Sequence, residues 1–142
     1  MNFIKEALAW ILSERGYDLG LLILRVGLGT FMMTHGLAKI NNFAELSQTF
    51  ADPVGWGAKT SLILIIFAEF VCSILVVLGL GTRLAVIPII VGMIVAAFFT
   101  YPQFAFGKSE MALVYLVGFT AIFFMGAGKY SLDHLILRWL QA

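Results

Sequence analysis

Five side chains of this sequence combine ionisable chemistry with an apolar setting: Arg25, His35, Lys39, Glu69 and Glu110. Arg25 and Glu69 lie inside long apolar stretches, where an unpaired charge costs roughly 2.5–3.5 kcal/mol on insertion scales. The expectation is that they face each other as a buried polar core. On antiparallel helices their Cα heights would differ by roughly 5–10 Å at 1.5 Å per residue, a gap that an arginine spans. Such a pair can lock helix register, because removing one partner is costly even where the pair adds little. It can equally mark a pathway or headgroup site in which a desolvated glutamate takes up a proton. His35 and Lys39 are one helical turn apart and share a face. With Glu110 at the same level and Tyr101, Gln103 and Lys108 nearby, they are expected to line a mouth that hydrogen-bonds a carbonyl or carboxylate. The plainer alternative is a set of solvated loop ends with Lys39 snorkelling to the interface.

Other chemistries lack their residues. Cys72 is the single cysteine, which excludes a disulfide within the chain and any dithiol relay, and by default it behaves as a small buried hydrophobe. His134 is expected on the opposite side from His35, so no metal site follows. There is no GxSxG elbow, HExxH pair or phosphate-binding glycine loop. Gly27 and Gly29 do not open a dinucleotide fingerprint, since position 32 is Met; they and the Gly92/Ala96 pair suit close helix approach. Met32, Met33, Met93, Met111 and Met125 read as apolar packing. Pro88 is expected within about the first turn of its helix, where its cost is smallest.

The elements that must hold these groups follow from composition. Of 142 residues, 61% are hydrophobic and 12% charged, and the mean hydropathy is +0.99, well outside the profile of soluble domains. A net charge of +1 supplies no field for nucleic acid. Apolar stretches at about 19–37, 61–80, 84–100 and 111–127 each approach the roughly 20 residues of a membrane crossing. Lipid offers the backbone no hydrogen bonds, so the stretches must be helical. The fold class expected is an all-α membrane protein: one four-transmembrane-helix bundle over 1–142, with short interfacial helices at both termini, 1–18 and 128–142.

Phe3, Ile4, Ala7, Leu8, Ile11 and Leu12 share one side of the first of these, opposite Asn2, Lys5, Glu6 and Ser13. In the second, Ser131 is placed to cap and Asp133 to favour the first turn. Lys5, Glu6, Glu14, Arg15 and Asp18 do not match a cleavable signal, so Met1 is expected to begin the mature chain. Gly81, Thr82 and Arg83 alone join the second and third spans, which must form an antiparallel hairpin. The link from Ala38 to Thr60, about 23 residues, is long enough to fold back as a lid. Lys5, Arg15, Arg83, Lys129 and Arg138 on one side against Lys39, Lys59 and Lys108 on the other favour cytoplasmic termini.

LRVGLGTFMMTHGLAKI at Leu24–Ile40, AEF at Ala68–Phe70, LGLGTRLAV at Leu78–Val86 and GAGKYSLDHLI at Gly126–Ile136 together resemble the DoxX family. The resemblance implies a small four-span protein of the bacterial inner (cytoplasmic) membrane. It implies kinship with a subunit of a thiosulfate:quinone oxidoreductase and with membrane complexes that handle thiol or oxidative stress. It also groups Arg25, His35, Lys39, Glu69, Arg83, Glu110 and Asp133 as recurrent polar positions. Where the family often has Gly-Pro-Gly, this chain has Gly126-Ala127-Gly128, so its fourth span is expected to end less abruptly.

The leading expectation is a membrane subunit of a redox system, interacting with quinone, with no covalently bound cofactor and no flavin, haem or iron–sulfur motif of its own. Electrons would come from a partner protein. The alternatives are a non-enzymatic adaptor or stability factor, acting through small-residue helix faces or as a homo-oligomer, and a small carrier or proton-coupled transporter.

Overall fold

The computed structural model describes residues 2–11, 13, 16–101 and 103–142, with the side chains of residues 2 and 11 left aside. The expectations placed on Met1, Leu12, Glu14 and Arg15, and on the side chains of Asn2 and Ile11, fall outside what is described. The chain is all-helical, 80% helix with no strand among the described residues. In order come α1 (Asn2–Ile11), α2 (Tyr17–Asn41), α3 (Phe43–Thr49), α4 (Ala58–Ile66), a π-helical turn (Phe67–Cys72), α5 (Ser73–Leu78), α6 (Thr82–Phe98), α7 (Phe106–Met125) and α8 (Leu132–Gln141).

Among the described residues three rods are long and apolar enough to cross a membrane: α2, the continuous α4–π–α5 rod over Ala58–Leu78, and α7. The 17-residue α6 is as apolar but shorter. The helices run past the expected apolar windows. α7 begins at Phe106 rather than about 111, and α2 continues to Asn41 rather than about 37, because polar residues such as Lys108, Glu110 and Lys39 are good helix formers. Pro88 stands seven residues into α6 rather than in its first turn. α7 also stops sharply at Met125, since Gly126 takes φ +80° and Gly128 φ +74°. The expected gradual ending is therefore wrong: two glycines at positive φ end a helix as firmly as Gly-Pro-Gly.

The rods pack in a ring, α2 against the α4–α5 rod, that rod against α6, α6 against α7, and α7 back onto α2. Leu21, Met32, Val76, Val86, Ile89, Phe119 and Ile122 fill the centre. Outward-facing Ile23, Phe31, Leu84, Val117 and Phe124 are exposed, the distribution of a protein whose solvent is lipid. Glycines permit the closest approach. Gly29 lies against the Ser73 carbonyl and Val77, and Gly36 against the backbone of Glu69 and Phe70, whereas Gly27 faces open space.

The 38–60 link is no lid. It continues α2, turns through α3, which packs on α4, and closes at Asp52. The Asp52 carboxylate accepts hydrogen bonds from the amides of Gly55 (3.1 Å), Trp56 (3.0 Å) and Gly57 (2.7 Å) and from the Ser61 hydroxyl (2.8 Å). The Ser61 hydroxyl and then the Gly57 amide hold this carboxyl below the usual aspartate range. A carboxylate can collect that many donors only where the chain turns tightly around it, which holds the link beside α4.

Candidate functional site

At the end of the rods away from the chain termini, α2, the π turn, α6 and α7 enclose a cavity of about 360 Å³. Glu69 projects into it from the π turn, the segment where one extra residue per turn rotates the helix. Its side chain is 6% exposed and accepts a hydrogen bond of 2.6 Å from Lys39 Nζ, the lysine being 22% exposed. The approach of α2 that makes this possible runs through Gly36, whose missing side chain leaves room for the π-turn backbone. His35, one turn before Lys39, stands edge-on to the Tyr115 ring, with centroids 5.6 Å apart. Tyr115 in turn stacks on Phe119.

The outer rim is set by the α6–α7 connection. Ser109, wholly buried, donates to the Ala97 carbonyl at 2.8 Å, and Thr100 donates to Val95 at 3.2 Å. These bonds bring Tyr101 and Lys108 over the opening, the ammonium 5.2 Å from the centre of the tyrosine ring, within cation–π range. Met32, Met93 and Met111 line the apolar wall; Met32 and Met93 also belong to the core, so they both pack and face the cavity. The result is a partly apolar chamber with an ammonium–carboxylate pair at its side and an imidazole and two phenols around it. It can donate hydrogen bonds to a carbonyl or anionic oxygen and hold a proton on Glu69.

Two sequence expectations are corrected here. Arg25 and Glu69 are both buried, at 1% and 5% exposure, but they do not meet. Every helical side chain leans toward its own N-terminus. On antiparallel helices Arg25 therefore leans toward the termini and Glu69 toward the opposite end, where Lys39, leaning back down α2, reaches it. Glu110 is exposed and does not line the cavity, and neither does Gln103. Lys108, Met111, Ala112 and Tyr115 share the inward face of α7 at helical spacing, and Glu110 falls on the other face. Tyr115 was not anticipated from the sequence; its i+4 relation to Met111 was the available signal. The π turn had none.

Arg25 belongs to a second polar cluster at the termini end. Its Nη2 donates to the Tyr130 carbonyl at 2.6 Å, while Nε and Nη1 have no hydrogen-bond partner among the described residues. Gly79, at φ +71°, leaves the space the guanidinium occupies, and any side chain there would collide with Arg25 and Ser131. Asp133 ties α8 to the α5–α6 turn. Its carboxylate accepts from the amides of Gly81 (2.7 Å) and Thr82 (3.0 Å), and its own amide donates to Gly79 (2.8 Å). Ser131 caps α8 by accepting from the His134 amide at 3.1 Å, as its sequence position implies. Arg83 donates to the Phe124 carbonyl at 3.3 Å, and Lys129 pairs with Asp18 at 3.3 Å. This cluster fastens helix ends; Asp133 and Arg83 bind backbone rather than the cavity. Among the described residues no three His, Cys, Asp or Glu side chains come together as metal ligands.

Neither the curated proteins nor the solved structures contain a match to the chain. The sequence profile of the DoxX family matches residues 20–102, a stretch that holds Arg25, His35, Lys39, Glu69 and Arg83 and leaves Lys108, Glu110, Tyr115 and Asp133 beyond it. With more than half its length in that match and with rods suited to lipid, the chain belongs to the DoxX family of integral membrane proteins.

Proposed function

We propose that this protein is the quinone-interacting membrane subunit of a redox system whose electrons are delivered by a partner protein. The observation that carries the reading is the cavity beside the Lys39–Glu69 pair: its about 360 Å³ falls within the range of small-molecule sites, roughly 300–1,000 Å³. The residues suit a quinone. Lys39, His35, Tyr101 and Tyr115 supply donors for ring carbonyls, Met32, Met93 and Ala96 supply an apolar wall, and the exposed apolar rods outside can follow an isoprenoid tail. A bound quinone would supply two-electron chemistry that the side chains lack. The chain's part is to orient the ring, to place positive charge near its oxygens and to hold a proton at Glu69.

In this reading α6, about 25 Å long at 1.5 Å per residue, crosses the membrane with the other three rods. The Phe3, Ile4, Leu8 and Trp10 side of α1 and the Leu132, Leu135, Ile136 and Trp139 side of α8, all exposed, lie in the interface. Both termini face the cytoplasm of a bacterial cell, with the cavity toward the outer leaflet. Purification in native-lipid discs with mass spectrometry of bound quinone tests the proposal. Stoichiometric quinone in wild type, lost in Lys39→Ala and reduced in His35→Ala, supports it. Quinone no more abundant than in bulk lipid overturns it in favour of an adaptor that binds another membrane protein.

A further inference from the structure

Lys39 lines the cavity and is also the partner of Glu69, so an occupant and the glutamate draw on the same ammonium. We propose, building on the quinone reading, that filling the cavity is coupled to the uptake of one proton by the Glu69 carboxylate. A carboxylate offers about four lone-pair sites, and the one hydrogen bond that Glu69's side chain accepts among the described residues comes from Lys39. Its remaining sites depend on water in the cavity. An occupant of quinone size removes that water and shares the ammonium, and a carboxylate left with part of one partner in a low-dielectric setting is costly.

Besides Lys39, the ammonium that lines the cavity among the described residues is Lys108, which stands over the Tyr101 ring and is not paired with Glu69. From α2 come Lys39 and His35, from α7 Tyr115 and Lys108, and from the α6–α7 connection Tyr101. α6 contributes Met93 and Ala96 and the α6–α7 connection Thr100, none of which titrates, and Cys72 on the glutamate's own π turn is a buried thiol. Lys108 forms no salt bridge among the described residues and sits over the Tyr101 ring. The proton comes from water at the open mouth and forms an O–H bond on Glu69; no electron moves, and Lys39 keeps its charge. The gain is geometric as well. A protonated Glu69 is itself a donor, so a carbonyl oxygen with two lone pairs meets two donors, the Lys39 ammonium and the Glu69 hydroxyl.

The experiment measures binding of a short-chain benzoquinone to the protein in lipid discs between about pH 6 and pH 8, together with the infrared difference spectrum of binding. The filled state holds the extra proton, so affinity falls about tenfold for each unit of rising pH. Binding also produces the C=O stretch of a protonated carboxyl. In Glu69→Gln the binding that remains loses both the pH slope and the new band; in His35→Gln both persist, which separates carboxyl from imidazole. A flat pH dependence in wild type with no new carboxyl band, in a protein that binds the quinone, overturns this inference and leaves the quinone site standing. Absence of binding at every pH removes the quinone site and this inference with it. Should Glu69→Gln fail to fold, the wild-type slope and band decide alone.

Discussion

Replacing Gly36 by alanine probes the packing that brings Lys39 to Glu69. A Cβ at Gly36 would stand 2.8 Å from both the amide nitrogen and the Cβ of Phe70, and 3.0 Å from the carbonyl carbon of Glu69. Carbon atoms rest at roughly 3.5–4.0 Å, so α2 and the π turn must part by about 0.7–1.2 Å. Two of the three obstructing atoms are main chain and cannot rotate aside. Overpacking of this kind costs about 1–3 kcal/mol, but alanine also improves helix propensity by about 0.8–1.0 kcal/mol over glycine. Gly27→Ala makes the same chemical change on the same helix with nothing within 4 Å of the new Cβ. The difference between the two variants cancels propensity and leaves the packing cost. Unfolding in lipid discs or mild detergent should rank Gly36→Ala below Gly27→Ala by about 1–3 kcal/mol, with weaker quinone retention in the former alone. Equal stability of the two variants refutes the tight contact, and with it the account of why Lys39 lies within reach of Glu69.

Three other perturbations have definite expected outcomes. Lys39→Met leaves the Glu69 carboxylate unpaired and should cost about 3–5 kcal/mol, while the double variant Lys39→Met with Glu69→Gln recovers most of that loss; the thermal unfolding of all three, compared with wild type, checks the coupling. Asp133→Ala frees the Gly81 and Thr82 amides that start α6 and should cost about 1–2 kcal/mol, the scale of a lost helix cap, with faster hydrogen exchange at those two amides and none at the cavity. Because the Asp52 carboxyl is held below its ordinary value of 3.8, its contribution to the link is complete above that value and is lost as pH falls through the depressed one. Protection of the Gly55–Gly57 amides, their exchange rate relative to an unstructured peptide at the same pH, should therefore be kept at neutral pH and fall only on strong acidification, and Asp52→Ala should abolish that change.

Much of the architecture was legible as hydropathy. Lipid satisfies no backbone hydrogen bond, so four apolar stretches near crossing length could only be helices, and the three residues between α5 and α6 left no topology but a hairpin. Capping by Ser131 and the shared face of His35 and Lys39 were equally readable, because they depend on neighbours in sequence. The motif resemblance pointed to the DoxX family from short, ordered matches, and the profile match carries the same assignment. What hydropathy could not supply were the ends of helices, where polar helix formers such as Lys108 extend a rod beyond its apolar window.

The pairing of charges lay beyond the sequence for a different reason. Counting residues along antiparallel helices placed Arg25 opposite Glu69, but depth along an axis says nothing about rotation around it or the lean of the side chain. Those were decided by Gly36 letting α2 lie against the rod, by the π turn that rotates Glu69 into the cavity, and by the tilt of each side chain toward its own N-terminus. Glu69 consequently met Lys39, Arg25 joined the Tyr130 carbonyl at the other end, and Glu110 turned outward. Composition and periodicity determined that this chain lives in a membrane as helices; only the packing of those helices decided which of its few charges share a chamber, because a charge's partner is set by three-dimensional direction and the sequence records order alone.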